Sequence, residues 1–171
     1  CTSRAADPAR AVAELAAAIG SVQLAGALLF CSNGYPRDAL AQELAVQLPD
    51  VPLFGCTSAG ELADRGYDTN SIVLIGFPRD VFSMASLRFD DLDHFDAQAA
   101  QSAIRHLAAQ ERRDRVGDEK QHQVALFFVD GLSHREELLT MTAQHALGDI
   151  QLIGGSGGDG GFSTSVSLAL S

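Results

Sequence analysis

The sequence predicts a mixed α/β domain: a mixed sheet built from two duplicated βαβ-type units, with helices packed on it. Three observations carry this reading. First, two stretches about a hundred residues apart repeat one pattern. Ala27-Leu28-Leu29-Phe30-Cys31-Ser32, Arg37-Asp38-Ala39-Leu40 and Leu53-Phe54-Gly55-Cys56-Thr57 are matched by Ala125-Leu126-Phe127-Phe128-Val129-Asp130, Arg135-Glu136-Glu137-Leu138 and Leu152-Ile153-Gly154-Gly155-Ser156. A single duplication at so long a spacing marks two halves of one fold rather than a solenoid. Second, each copy runs strand, helix, strand, an order that favours parallel pairing. Third, Ser71 to Phe77 and Val81 to Phe89 read as strands joined through Pro78-Arg79-Asp80, a hairpin that adds antiparallel pairing.

Each element has a local reason. Asp7 to Ile19 reads as a helix: Asp7 is an N-cap, Pro8 fits the first helical position and Gly20 stops it. Val12, Leu15, Ala16 and Ile19 give it one apolar face. Leu24 to Cys31 is a continuous apolar run, the pattern of a strand buried on both faces. Asn33-Gly34-Tyr35-Pro36 is turn chemistry. Arg37 to Leu48 is helical, with Leu40, Leu44 and Leu48 on one side and Pro49 as the stop. Pro52 to Cys56 is a short strand, and Gly60 to Asn70 is polar and reads as a loop. Asp90 to Asp96 is acidic, and Ala97 to Arg112 is helical with Ala100, Ile104 and Leu107 inward. Arg113 to Gln121 is a charged loop, Gln123 to Asp159 is the second copy, and Thr164 to Leu170 alternates as a further strand.

Composition narrows the function classes. The chain has 171 residues, 46% hydrophobic and 20% charged, which is enough for one domain with a sizeable core and shows no interdomain linker. A net charge of −10 argues against nucleic acid or an anionic membrane as the main partner, because both require basic patches. No apolar run approaches the ~20 residues of a transmembrane helix. The chain opens on Cys1 without an initiator methionine or signal-peptide pattern and closes inside a strand, so a fragment of a longer protein is expected. Three cysteines, two of them inside apolar runs, do not form a disulfide framework, and a reducing cytoplasm is the expected location.

The candidate site lies where the strands of both copies end. At Leu53 to Glu61 a strand dissolves into small and hydroxyl residues, which uncovers backbone N–H groups and places short donors around a concavity. The competing reading is a tight buried turn that needs small residues to pack. Ligand-facing candidates from the two copies are Cys31, Ser32, Asn33, Cys56, Thr57 and Ser58, then Asp130, Gly131, Gly155, Ser156 and Asp159. Cys56 would be a nucleophile if a histidine lay beside it, and otherwise is an inert buried thiol. Ser58 lacks the glycine two residues upstream that a nucleophile elbow needs. Gly155 to Gly160 matches Gly-x-Gly-x-x-Gly, but Phe162 to Leu170 reads as strand rather than helix and no lysine is at hand, so a Rossmann or NTPase assignment is rejected. Asp130 is by default a turn residue, and in a pocket it would hold an ammonium or orient a histidine. No His-x-x-x-His or Cys-x-x-Cys occurs, which argues against zinc. A single histidine suffices to ligate haem b without covalent attachment, and His134, at a strand end beside Asp130, is the best placed of the five.

Three motifs in this order, Phe54-Gly55-Cys56-Thr57-Ser58-Ala59-Gly60-Glu61, Asp130-Gly131-Leu132-Ser133 with Glu136-Glu137, and Gly154-Gly155-Ser156-Gly157-Gly158-Asp159, resemble the N-terminal half of the FIST sensory domain. The opening Arg4-Ala5-Ala6-Asp7-Pro8 is similar to bacterial members, so the likeness spans nearly the whole chain. The resemblance implies a ligand-binding sensor without catalytic activity. It implies partners among histidine kinases and cyclic-dinucleotide signalling proteins, and, for one subgroup, a haem protein that senses nitric oxide and regulates a kinase. Other members were proposed to bind small ligands such as amino acids. The chain departs from the pattern at Gly157, where alanine is expected, and in lacking the family's C-terminal half. The leading expectation is therefore a cytoplasmic small-ligand sensor. The alternatives are a cysteine-dependent enzyme using Cys56 and a protein-interaction scaffold.

Overall fold

In the computed structural model the described residues are 1–63, 66–113 and 122–158, with the backbone of 167–170. The apolar run at the start of the first copy is β2 (Leu24–Ser32), and its neighbours in space show why it is apolar on both faces. It lies inside a five-stranded mixed sheet, flanked by β3 (Leu53–Ser58) and β6 (Ile72–Pro78). β2 and β3 pair in parallel from Ala27↔Leu53 to Ser32↔Ser58, as the strand–helix–strand order predicts. β6 pairs antiparallel with β2, from Leu24↔Pro78 to Cys31↔Ile72. The short β1 (Thr2–Ser3) closes the far edge of β6, and β9 (Ser167–Leu170) lies antiparallel on β3. That last strand is the described part of the expected strand 164–170.

Two helices cover one face of this sheet. α1 (Pro8–Ile19) begins as its sequence demands: the Asp7 carboxylate accepts from Arg10 N–H at 2.9 Å, Pro8 takes the first position and Gly20 is the C-cap. α2 (Arg37–Gln47) packs against α1. Between helices and sheet lie Val12 and Leu15 of α1, Ala27, Leu29 and Cys31 of β2, Leu40 and Leu44 of α2, and Ile72 and Leu74 of β6. Each fully buried leucine contributes about 1.5–3 kcal/mol relative to an exposed one. Tyr35 closes the upper end of this core, its hydroxyl donating to the Ala5 carbonyl at 2.7 Å.

The second copy supplies α3 (Ala97–Arg113), β7 (Val124–Asp130), α4 (Glu136–Leu147) and β8 (Gln151–Gly157). Asp96 caps α3, accepting from the backbone N–H groups of Gln98 and Ala99 at 2.9 and 3.0 Å. α3 packs on α4, α4 packs on β7, and β7 pairs with β8 in a separate two-stranded sheet. The repeat is therefore helix–strand–helix–strand, one helix longer than the βαβ unit read from sequence. The described residues cluster into two compact units, one holding Cys1–Ser83 and β9, the other Met84–Ser156.

Two expectations are corrected. Val81 to Phe89 is not a strand: the chain turns after β6, with Val81 and Phe82 N–H both donating to the Pro78 carbonyl, and Phe82 packs edge-to-face on Phe77. β1 covers the other edge of β6 only at Ile72 and Val73, so an available edge alone does not make a strand of Val81 to Phe89. Conversely, the polar stretch from Gly60 to Asn70 is not all loop. It holds a hairpin of β4 (Glu61–Ala63) and β5 (Gly66–Asp68) in the register Glu61↔Asp68, Leu62↔Tyr67 and Ala63↔Gly66. The Tyr67 hydroxyl anchors it by donating to Ala59 O at 3.0 Å. The charged loop expected over 113–121 lies, after Arg113, outside the described residues.

Candidate functional site

The parallel register of β2 and β3 brings the first copy's candidates together. Cys31 pairs with Thr57 and Ser32 with Ser58, so four of the predicted residues sit side by side at the strand ends. Cys56 lies one step earlier, opposite Phe30, and Asn33 is exposed in the turn beyond β2. Period-two alternation then separates them. Cys31 faces the helices with Ala27 and Leu29, and Ser32 and Ser58 share the opposite face.

What organises these residues is a side chain the sequence reading did not select. Glu61, 3% exposed at the start of β4, accepts from the Ser58 hydroxyl on one carboxylate oxygen and from the Ser71 hydroxyl on the other, both at 2.7 Å. Ser71 in turn offers its backbone carbonyl to Ser32 N–H at 3.0 Å. One buried carboxylate thus joins the end of β3, the hairpin and the entry to β6, and Ser71 carries the link to the end of β2. A lone acid three residues after Ser58, inside a motif otherwise made of small residues, was the available signal. Thr57, 2% exposed, has its hydroxyl buried without a partner among the described residues. The nearby Asp68 carboxylate is satisfied by an ion pair with the Arg4 guanidinium and by the Thr69 N–H, which donates to Oδ1 at 2.9 Å.

Both buried thiols are shifted in the same direction. Burial, reinforced by the negative charge of Glu61 and by Cys56, pushes the Cys31 thiol up to about 12. Burial also raises Cys56. A nucleophilic cysteine needs the opposite shift, toward thiolate near neutral pH. Both groups are held as neutral thiols, and all three cysteines are free.

The second copy reproduces the turn of the first. Ser32 Oγ accepts from Gly34 N–H at 3.3 Å, and its carbonyl accepts from Tyr35 N–H. Asp130 does the same with a carboxylate: Oδ1 accepts from Leu132 N–H at 2.8 Å, and its carbonyl accepts from Ser133 N–H. Asp130 is therefore at least a turn residue, the default reading of its type. The close approach of the strands is repeated as well. A Cβ on Gly55 would collide with the Leu29 carbonyl, and one on Gly154 with the Phe127 carbonyl. These positions correspond in the repeat.

The register of the repeat slips once. Ala27 matches Ala125, 98 residues on, whereas Gly55 matches Gly154, 99 on. The buried Leu40 and Leu44 of α2 correspondingly match the buried Leu139 and Ala143 of α4, not Leu138, which is exposed. The extra residue falls in the turn between β7 and α4, where His134 adopts a left-handed φ of 53°. Gly131 is half-buried in that turn, Gly155 and Ser156 are exposed on β8, and Asp159 lies outside the described residues.

The same observations test a haem. An axial histidine works inside an apolar pocket that excludes water. His134 is exposed, on a turn of polar and small residues, and so does not fit that role. Among the described residues no three His, Cys, Asp or Glu side chains converge on a metal position. A cavity of about 380 Å³ does occur in the second unit, lined by Arg112, His122, Gln123, Val124, Asp149, Ile150 and Gln151. It opens at the beginnings of β7 and β8, the ends remote from Asp130 and Ser156. Among the described residues no helix is long and apolar enough to cross a membrane.

No curated protein and no solved structure matches the chain. One family matches, the FIST N domain, over residues 25–169. That span begins at β2 and runs to β9, taking in both copies and omitting α1.

Proposed function

The chain belongs to the FIST N domain family, a family of sensory domains in signal transduction, and from that premise we propose that it binds a small ligand without transforming it. The observation that supports this most is the polar assembly at the ends of β2 and β3, in which Glu61 is held by the Ser58 and Ser71 hydroxyls. Oriented hydroxyls and a carboxylate recognise a polar ligand, while the neutral, buried thiols of Cys31 and Cys56 speak against covalent chemistry. Asp130, Gly131, Gly155 and Ser156 are the corresponding positions of the second copy in the same reading.

On this reading ligand occupancy is passed to a histidine kinase or a cyclic-dinucleotide signalling protein in the cytoplasm, where three free thiols remain reduced. Nitric oxide sensed at a haem is the finest form of the proposal, and it rests on family resemblance. It would need a ligand other than the exposed His134.

The test is a thermal-shift screen of the purified protein against amines, carboxylates, amino acids and haemin, followed by calorimetry on any hit. A ligand at a hundred times its Kd stabilises the native state by about 2.7 kcal/mol. Ser58→Ala and Ser32→Ala are expected to reduce that shift. Silence across the panel, or hits indifferent to both substitutions, would remove the strand-end site. Rapid iodoacetamide labelling of native Cys56 near neutral pH would instead favour the enzyme reading.

A further inference from the structure

We infer, on the reading that the strand ends bind a small ligand, that this ligand is a primary amine whose ammonium group is held by three oxygens: Glu61 Oε1, Ser58 Oγ and the Gly60 carbonyl. Ser58 Oγ stands at the centre of that corner, 2.7 Å from Glu61 Oε1 and 3.4 Å from Gly60 O. The corner forms where β3 ends and β4 begins. An ammonium carries three N–H donors and no acceptor, and so matches a carboxylate, a hydroxyl and a carbonyl oxygen gathered at one point. A ligand carboxylate would bring only further lone pairs to the same place.

The charge of the corner points the same way. Glu61 is 3% exposed, and its hydrogen-bond partners are the neutral hydroxyls of Ser58 and Ser71. Among the described residues no cation pairs with it. The Arg4 guanidinium goes instead to Asp68, which stands opposite Glu61 in the hairpin register. A buried carboxylate without a counter-charge is costly. Once ionised it offers about four acceptor sites, and the two serines fill one on each oxygen. An ammonium supplies both the missing charge and the missing donors. Ser58 and Gly60 are half-buried where Glu61 is enclosed, so the corner is approached from their side. Gly60 has no side chain to cover its carbonyl, and a Cβ there would strike the Tyr67 ring. A net charge of −10 favours the approach of a cation over that of an anion.

Butylamine, butanol and butyrate share a carbon chain and differ in head group, which is cationic, neutral and anionic at neutral pH. Thermal shift of the purified protein with each, in phosphate buffer free of other amines and at constant ionic strength, separates them. The expected result is a raised melting midpoint with butylamine alone. Glu61→Gln keeps the shape of the side chain, removes its charge and should lose that shift. Ser58→Ala removes one oxygen of the three and should weaken butylamine about fivefold by calorimetry, the worth of one hydrogen bond. It serves if Glu61→Gln fails to fold. Butylamine binding that is unchanged in both variants overturns the assignment, since the amine then sits elsewhere. No shift from butylamine overturns it too. If butanol or butyrate then binds with dependence on Ser58, the strand-end site stands with a different ligand, and if the wider panel is silent as well, that site falls with the amine.

Discussion

The most discriminating perturbation is one methyl group placed at two adjacent positions of β8. A Cβ on Gly154 meets the Phe127 carbonyl at a distance no pair of atoms tolerates, while one on Gly155 meets nothing within 4 Å. Replacing glycine by alanine lowers unfolded-state entropy and by itself stabilises by about 0.4–1 kcal/mol where the native backbone accepts it. Gly155→Ala should keep that gain. Gly154→Ala must instead push β8 off β7, and overpacking of this kind costs about 1–3 kcal/mol, here toward the upper figure because the obstacle is backbone. The two variants should differ by about 2–3 kcal/mol, which at ~2–4 °C per kcal/mol for a chain of this size separates their melting midpoints by about 4–12 °C. Gly55→Ala should match Gly154→Ala, because it strikes the Leu29 carbonyl at the corresponding place. Thermal unfolding followed by far-UV circular dichroism measures all three. Equal midpoints for Gly154→Ala and Gly155→Ala would refute both the strand contact and the equivalence of the two copies.

Other expectations follow from the first unit. Cys31, Cys56 and Tyr35 all titrate above their ordinary range in the native state, so their contribution is complete below pH 9 and is lost as pH rises, for Cys31 between about 9 and 12. For Cys31 this lowers stability by up to about 1.4 kcal/mol per pH unit in that window, and urea titrations of Cys31→Val should show a flatter alkaline limb. Glu61→Ala strands two serine hydroxyls, the Ser71 one fully buried, and should cost about 2–4 kcal/mol after the carboxylate's own desolvation is relieved. Glu61→Gln should cost less and bring the Cys31 thiol down, and an unchanged thiol titration would separate Glu61 from Cys31. Asp7→Ala removes the cap of α1 and should cost about 1 kcal/mol in the same urea assay.

The parts of the fold that the sequence disclosed are those governed by local rules. Asp7, Pro8 and Gly20 announce α1, and the unbroken apolar run of β2 announces a strand covered on both sides. The repeat was visible because both copies keep apolar strands and small residues at the same spacing. Val81 to Phe89 misled because β propensity says nothing about whether the chain returns along the strand it leaves, and here it turns at Pro78, whose carbonyl accepts from both Val81 and Phe82 N–H. The β4–β5 hairpin was hidden because its pairing depends on contacts such as Tyr67 to Ala59 rather than on an apolar pattern. At the site, adjacency of Cys31 with Thr57 and of Ser32 with Ser58 followed from parallel pairing of the two strands. The role of Glu61 did not, because Ser71, ten residues further on, returns to it only through the fold.

The extra residue between β7 and α4 has an evolutionary consequence. Duplicated halves that must both keep their strands in contact can diverge freely only where a length change is absorbed without being transmitted. Here the slack is taken up within a single turn, and the strands on either side resume their original correspondence. Homologues should therefore vary in length at His134 and Arg135, between the Asp130–Ser133 and Glu136–Glu137 parts of the motif, while mutations at Gly55 or Gly154 should be purged.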